Sequence, residues 1–396
     1  MKGPTPRRLR KYMVRCLGLA AYLHAPGDGR VQPQIPAAAL LWALLIGQIL
    51  RESAFHAIES LVRSAARALG VSQAFSDDTL GYFTERLCPT PTRQALADCV
   101  RRAKRNKAFD GSRFIGLSVD GTTVGRCRTS GCRLCRPWRN RARQIQGYHH
   151  ALAMISVVGV GLTLPLDVEP YGPKDSEYAA GQRLLQRVVG RVGPRFADYV
   201  VVDAEYARAG FLHLAGDLGL RVVARLKGNL PELFRAAQRR FRAQPPTTVF
   251  RQGEERIEIW DADDFDPWQT LRWETVRVLR YRQTRPNGEV VEAYWLTDFP
   301  CRQLSSRTLF RLAKSRWEIE NQGFNDAKNR YGLEHLCHHH ADSLLITWLL
   351  VALTLTVERL YRLRYLHRGA HRPRTAIDLA RLLRLCLSSP FVLDSS

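Results

Sequence analysis

Three carboxylates stand where a fold could bring them together: Asp120 in SVDGTT, Asp203 in VVVDAEY and Glu320 in SRWEIEN. Taken singly, each reads as well as a loop or capping residue. Together, hard oxygen ligands with open coordination positions suit two Mg²⁺ (or Mn²⁺) ions, which activate water and stabilise the leaving oxygen in phosphodiester cleavage. Glu318 competes with Glu320 for the third place. Two residues apart on a helix, they point about 200° from each other, so only one can face the metals. Trp317 and Phe324 share a face close to that of Glu320, which makes Glu320 the ligand and leaves Glu318 solvated. Arg316 and Lys328 lie within roughly 18 Å on the same helix at about 1.5 Å per residue. Both suit the clamping of a phosphate backbone. Asp175 and Glu177 are eligible to fortify an acidic site, but capping of a helix N-terminus explains them better.

A second group of candidate ligands is softer. Cys127, Cys132 and Cys135 follow Asp120 in a C-x₄-C-x₂-C run, Tyr148-His149-His150 comes next, and Cys337-His338-His339-His340 lies far downstream. Cys132 and Cys135 have zinc-knuckle spacing, and Cys337 and His338 (with His340 as a substitute) are the expected second pair of a structural Zn²⁺ site. Reduced loop thiols and a redox pair are the other readings. The loop is also basic, with Arg126, Arg128, Arg133, Arg136, Arg139, Arg141 and Arg143 around Trp138, which suits a DNA backbone.

The elements that must position these groups follow from periodicity. Residues 1–107 read as helical, opening with Arg7, Arg8, Arg10 and Lys11 and closing with Arg101, Arg102, Lys104, Arg105 and Lys107, and are expected to contact DNA. Residues 108–228 hold strand-like runs at Phe114–Val119, Ala151–Val158 and Leu162–Val168, the last two joined by a hairpin turn at Gly159-Val160-Gly161. A helix at Asp175–Val189, a strand at Tyr199–Val202, a helix at Ala207–Leu218 and a strand at Arg221–Leu226 complete this part. In this pattern Asp120 and Asp203 each end a strand, and they meet at one edge if the two strands are neighbours. Residues 229–303 are a β-rich insertion, with a helix at Pro231–Phe241 and strands near Val249–Trp260, Arg272–Tyr281 and Val290–Thr297. Residues 304–340 return to helix, with Ser305–Asn329 as one amphipathic helix that delivers Glu320. Residues 341–396 are a C-terminal helical region.

The whole chain is cationic. It has 396 residues, 60 Lys+Arg against 37 Asp+Glu, and a formal net charge of +23. With 45% hydrophobic residues it has material for a real core, so a disordered basic tail is excluded and a polyanionic partner is implied. The apolar runs Ala37–Leu50 and Leu344–Val357 are shorter than the roughly 20 residues that span a bilayer, so no membrane role is expected. Nothing at the N-terminus reads as a signal peptide, which points to the cytoplasm, and the nine cysteines read as thiols or ligands rather than a disulfide framework.

The stretches VDGTT, YVVVDAEYARAGFL, GLRVVARLKGN and RWEIENQGFNDAKNRYGLEH resemble those of DDE transposases of bacterial insertion sequences. More narrowly, they are similar to the group bearing a Tyr-Arg-Glu-Lys signature. The resemblance covers Phe114 to His340 and implies an α/β, ribonuclease H-like (retroviral-integrase-type) mixed sheet with a β-rich insertion before the last catalytic helix. It implies Asp120, Asp203 and Glu320 as the metal-binding catalytic triad, with Arg316 and Lys328 on DNA phosphates. The signature tyrosine falls on Ala313 and is missing, and Lys328 comes eight residues after Glu320 where the pattern has seven; either the shift of about 100° still lets it reach the same phosphate, or a bulge at Gly323 absorbs it. It also implies double-stranded DNA partners (terminal inverted repeats and target), a homodimer in the synaptic complex, a nucleoid-associated bacterial location, and aromatic residues of the insertion that hold a flipped base. Trp260, Trp273 and Trp295 are eligible for that role, with core packing as the alternative. The expected activity is Mg²⁺-dependent strand cleavage at element ends followed by direct strand transfer. A related nuclease without strand transfer, or a domesticated DNA-binding protein, stays open at this point.

Overall fold

The chain was analysed as a computed structural model, in which residues 4–71, 73–366 and 375–388 are described. Six helices come first: α1 (Pro6–Arg15), α2 (Ala20–His24), α3 (Ala37–Ile49), α4 (Phe55–Leu69), α5 (Asp77–Arg86) and α6 (Pro89–Arg105). Helix α3 is apolar on nearly every side and is accordingly buried, with Leu40, Leu41, Leu44, Leu45 and Ile46 almost fully enclosed. Its partner in the core is the long helix α13, introduced below.

A ten-stranded mixed sheet follows. Strands β1 (Gly116–Cys127), β2 (Arg136–Arg139), β3 (Ile145–Val158) and β4 (Leu164–Pro170) are antiparallel, and helix α7 (Glu177–Val192) leads to β5 (Tyr199–Val202). After a 3₁₀ turn (Ala204–Tyr206), α8 (Ala209–Asp217) leads to β6 (Arg221–Leu226). Strands β1, β5 and β6 are parallel, and their valine-rich runs are buried on both faces, as crossover helices require. Gly159 and Gly161, both at positive φ, make the β3–β4 turn.

The inserted segment holds α9 (Pro231–Arg242), β7 (Thr248–Gln252), β8 (Glu255–Phe265), β9 (Val276–Thr284) and β10 (Val290–Thr297). It extends the same sheet, because β10 pairs antiparallel with β6, giving the order β2-β3-β1-β5-β6-β10-β9-β8-β7, with β4 also on β3. The run expected as one strand from Val249 to Trp260 is a hairpin broken at Gly253, whose φ is +60°.

Two further expectations are corrected here. The first strand does not end at Asp120. Its long partner β3 continues the antiparallel ladder past the point where β5 stops, so β1 runs on to Cys127. The helix expected as continuous from Ser305 to Asn329 is not regular throughout: α10 (Ser306–Lys314), α11 (Arg316–Glu318), a π-helical turn (Ile319–Phe324) and α12 (Asn325–Tyr331). Backbone angles stay helical at Ser315, Glu318 and Phe324, so these are stretches of one helical run whose turn tightens at Ser315 and widens from Ile319 to Phe324.

Helices α13 (Ala341–Tyr365) and α14 (Ala376–Ser388) close the described chain. Helix α13 is long and apolar enough to cross a membrane, yet it is buried inside the protein for almost its whole length. It packs against α3, α5, α6 and β4, so the N-terminal helices and the sheet share one hydrophobic core. Each large aliphatic side chain enclosed there contributes roughly 1.5–3 kcal/mol.

Candidate active site

The parallel ladder between β1 and β5 ends with Val119 beside Val202. Asp120 and Asp203 are the next residues of each strand, so they stand side by side at the C-terminal end of the ladder, on strands about 4.8 Å apart. The Asp203 carboxylate also caps the 3₁₀ turn that follows, accepting from the Glu205 amide at 2.8 Å. The π-helical turn packs over β1 and β3, with Gly323 close to the sulfur of Met154, the residue paired with Asp120. Glu320 reaches this edge through Arg316, whose Nη1 donates to Glu320 Oε1 at 2.7 Å and to Asp120 Oδ2 at 3.5 Å. The structure thus sets Asp120 beside Asp203 and joins Asp120 to Glu320 through Arg316, without drawing all three carboxylates to the spacing of ligands on one ion.

A fourth acid was read in the sequence as a capping residue and is instead part of this group. Glu177, in the first turn of α7, accepts from the phenols of Tyr171 (3.2 Å) and Tyr206 (3.3 Å). Burial and the surrounding acids push both phenols up, so they stay donors. A Cβ on Gly121 would lie 2.2 Å from the Glu177 carboxyl carbon, so glycine after Asp120 is what admits this side chain. Capping of α7 falls to Ser176, which accepts from the Ala179 amide at 3.2 Å, while Asp175 pairs with Arg183.

The electrostatics follow from this crowding. Burial, opposed by Arg316 and reinforced by Glu320, Glu177 and Asp203, pushes Asp120 up to about 7. Glu177 is raised too, by burial and then by Asp203. The ligand-type groups here are carboxylate oxygens, and among the described residues Arg316 is the one guanidinium paired with them. That donor set fits a hard divalent cation.

Glu318 is not solvated, contrary to expectation. It is half-buried against the β3–β4 hairpin, where it accepts from the Gly159 amide at 3.0 Å. Burial raises its pKa. Lys328 donates to the Thr123 carbonyl at 2.8 Å and pairs with Glu334 at 3.1 Å, so α12 is pinned to β1 just beyond the acids. Arg359 on α13 was missed in the sequence. It donates to the Gln322 carbonyl inside the π turn, to the Thr163 carbonyl, and to Asp326 at 2.7 Å. It thereby takes up a carbonyl in the widened turn.

The expected zinc set is corrected. Cys337 donates to the Ser53 carbonyl at 2.8 Å, and His338 pairs with Glu85 at 2.6 Å. Successive residues of the irregular α12–α13 connection face different sides, which sends His339, not its neighbours, to Cys132 and Cys135, where it is joined by His150. Of the basic loop, Arg126, Arg128, Arg139, Arg141 and Arg143 are exposed, as is Trp138. Arg133 pairs with Asp342, and Arg136 donates to the Gly172 carbonyl at 2.6 Å. Trp295 is fully buried, Trp260 nearly so with its indole on the Gln244 carbonyl, and Trp273 packs against the core.

Residues 112–357 match the family model described as the transposase DDE domain. The chain belongs to this transposase family. None of the curated proteins matches it. Among solved structures it is similar to the transposase in the cryo-EM structure of a piggyBac synaptic complex with hairpin DNA, at 13% identity and a TM-score of 0.48, covering 97% of this chain and 80% of that one. In this transposase the matched segment begins just before β1 and ends within α13, so it contains all four acids.

Proposed function

We propose that this transposase cuts DNA at the terminal inverted repeats of an insertion sequence and joins the freed 3′ ends directly to target DNA. The observation that carries the reading is the placement of Asp120 and Asp203 side by side at the end of the β1–β5 ladder, with Glu320 joined to Asp120 through Arg316. Asp120, Asp203 and Glu320 hold the divalent cations, Mg²⁺ or Mn²⁺. When bound, such ions lower the pKa of water and offset charge on the attacking and leaving oxygens. The chain's own residues do the rest. Tyr171 and Tyr206 hold Glu177 against Asp120 and keep the acids grouped. Arg316 is largely buried, stacks on Trp317 and bridges Asp120 and Glu320 through Nη1, so it orients these acids. Lys328 adds a second cation along the same helical segment.

We further assign the protein to the group with the Tyr-Arg-Glu-Lys signature and a ribonuclease H-like core, on Arg316, Glu320 and Lys328. The π turn between Ile319 and Phe324 supports this, since a widened turn adds one residue between Glu320 and Lys328 and offsets the spacing of eight. The exposed arginines of the β1–β3 region and the hollow of about 470 Å³ lined by Arg15, Arg102, Arg105 and Arg364 are its DNA-backbone surfaces. It works as a homodimer on double-stranded DNA in the bacterial cytoplasm.

The test is incubation of the purified chain with DNA bearing the inverted repeats that flank its coding frame, with Mg²⁺ or Mn²⁺. Nicks at the 3′ ends and joined products are expected. Cleavage undiminished by both Asp120→Ala and Glu320→Ala removes the triad, and cleavage without joined ends makes the protein a nuclease.

A further inference from the structure

Behind the acidic edge lies a second set of ligand-type side chains, drawn from three separate parts of the chain. Cys132 and Cys135 sit in the β1–β2 loop, His150 in β3, and His339 in the α12–α13 connection. Their ligand atoms lie within 4.8 Å of one another. Cys132 Sγ is 3.9 Å from Cys135 Sγ and 3.3 Å from His150 Nε2, while Cys135 Sγ is 3.5 Å from His150 Nε2 and 3.2 Å from His339 Nε2. A tetrahedral zinc with Zn–S of about 2.3 Å and Zn–N of about 2.0–2.1 Å has edges of roughly 3.8 Å between sulfurs and roughly 3.6 Å between sulfur and nitrogen. These four edges match such a tetrahedron to within about 0.4 Å, and the other two are under 4.8 Å.

A second, independent feature fixes the imidazole. Val124 pairs with His150 and Arg126 with His149, so Gly125 is an extra residue bulged out of β1. Its φ of +50° turns its carbonyl toward His150, which stands 3.4 Å away through Nδ1. A proton held at Nδ1 leaves Nε2 with its lone pair directed at the two sulfurs, the usual outer-shell arrangement of a metal-bound histidine. His150 is fully buried and packs edge-on to His339, so the site is closed on its protein side. Cys127 stands outside the tetrahedron, 4.0 Å from His339 Nε2.

We propose that Cys132, Cys135, His150 and His339 bind one structural zinc ion that ties the α12–α13 connection to β1 and β3. Four protein ligands with no open position mark a structural role, distinct from the carboxylate pocket. The connection it anchors directly follows the helical segment carrying Glu320 and Lys328, so the ion holds that segment's exit against the strand carrying Asp120. The assignment does not depend on the transposition chemistry above.

The full-length, untagged chain purified from zinc-supplemented cells is expected to carry one zinc per molecule after exhaustive dialysis. Replacement by Co²⁺ should give tetrahedral d–d bands and a thiolate-to-cobalt charge-transfer band, which carboxylates cannot produce. Cys135→Ser and His339→Gln should lower the metal content at least tenfold. Cys127→Ser, Cys337→Ser, His338→Gln and Asp120→Asn should retain it. Substoichiometric zinc in the wild-type chain, a cobalt spectrum without the thiolate band, or loss of zinc in Asp120→Asn or Cys337→Ser overturns the proposal.

Discussion

Helix α7 serves two groups of carboxylates that the fold treats in opposite ways. Toward its C-terminus, Arg183 and Arg187 join Arg93 of α6 around Asp167 and Glu169 of β4. There every carboxylate oxygen is taken: Asp167 accepts from Arg93 (3.0 Å), the Val168 amide (2.8 Å) and Arg187 (2.6 Å), and Glu169 accepts from all three arginines. At its N-terminus, Glu177 joins Asp120, Asp203 and Glu320, and among the described residues Arg316 alone offers these four a guanidinium. The first group is a completed ion network that fastens α6 and α7 to the sheet edge. The second leaves charge repulsion unrelieved, which has a cost in stability and is a recurrent mark of sites that perform chemistry. Counting acids does not separate the two groups, whereas counting the donors around each acid does.

Substituting the central acid of each group should therefore have opposite signs. Asp120→Asn should lower strand cleavage by at least about a thousandfold, equivalent to roughly 4 kcal/mol of barrier. The same change should stabilise the fold in Mg²⁺-free buffer. Asp120 is raised to about 7 in the folded chain, against about 3.9 for an ordinary aspartate. Between those values the unfolded chain is ionised while the folded carboxyl keeps its proton, so stability falls as pH rises through this window. At pH 8 the gain in the variant should amount to a few kcal/mol, taking about 1.4 kcal/mol per tenfold change in proton affinity, and at pH 4 it should nearly vanish. Urea titrations at the two pH values check this, and a variant less stable than wild type at pH 8 would end the contrast. Asp167→Ala should instead lose about 3 kcal/mol by stranding Arg93 and Arg187 in a largely buried site, while cleavage per folded molecule changes less than about twofold.

Glu177 tests where the boundary between the groups falls. Glu177→Gln keeps an acceptor oxygen for one of the two phenols, presents an NH₂ donor to the other, whose oxygen must then accept, and removes one charge that raises Asp120. The acid limb of the pH–cleavage profile should move to lower pH, with less than about a tenfold change in the plateau rate. A profile that stays in place would show Glu177 to be only a structural partner of the two tyrosines.

The same contrast explains what was legible in the sequence. Buried apolar runs followed by an acid mark where the parallel β1–β5 ladder stops, which is why Asp120 and Asp203 could be paired from topology although only β5 ends there. Arg221–Leu226 and the β3–β4 hairpin were equally readable, because buried parallel strands and glycine turns leave local signals. The run of β1 beyond Asp120 was not, since the partner that prolongs it lies more than 20 residues downstream. Glu177 carried a capping signal that was real for the helix start but belonged to Ser176. His150 and His339 offered no spacing to read. Only the Gly125 bulge and the turn after α12 set their side chains toward Cys132 and Cys135, and both are properties of the tertiary fold.

The smallest expected effect concerns the residue whose placement periodicity misjudged. An ideal helix puts Glu318 about 200° from Glu320, and solvent was the natural destination for it. The hairpin at Gly159 half-buries it instead, and its carboxylate takes up the Gly159 amide at 3.0 Å. Glu318→Gln retains an acceptor oxygen and removes a charge that burial disfavours. The raised pKa means that the ionised form weakens the fold as pH climbs past the ordinary glutamate value, so the variant should gain stability toward pH 8 rather than lose it. The gain should be about 1 kcal/mol or less, and strand cleavage should stay within about threefold of wild type. Loss of cleavage on the scale expected for Glu320→Gln would reverse the assignment of the two glutamates, and with it the claim that donor environment, not helical phase, separates the acids that hold the fold from those that act.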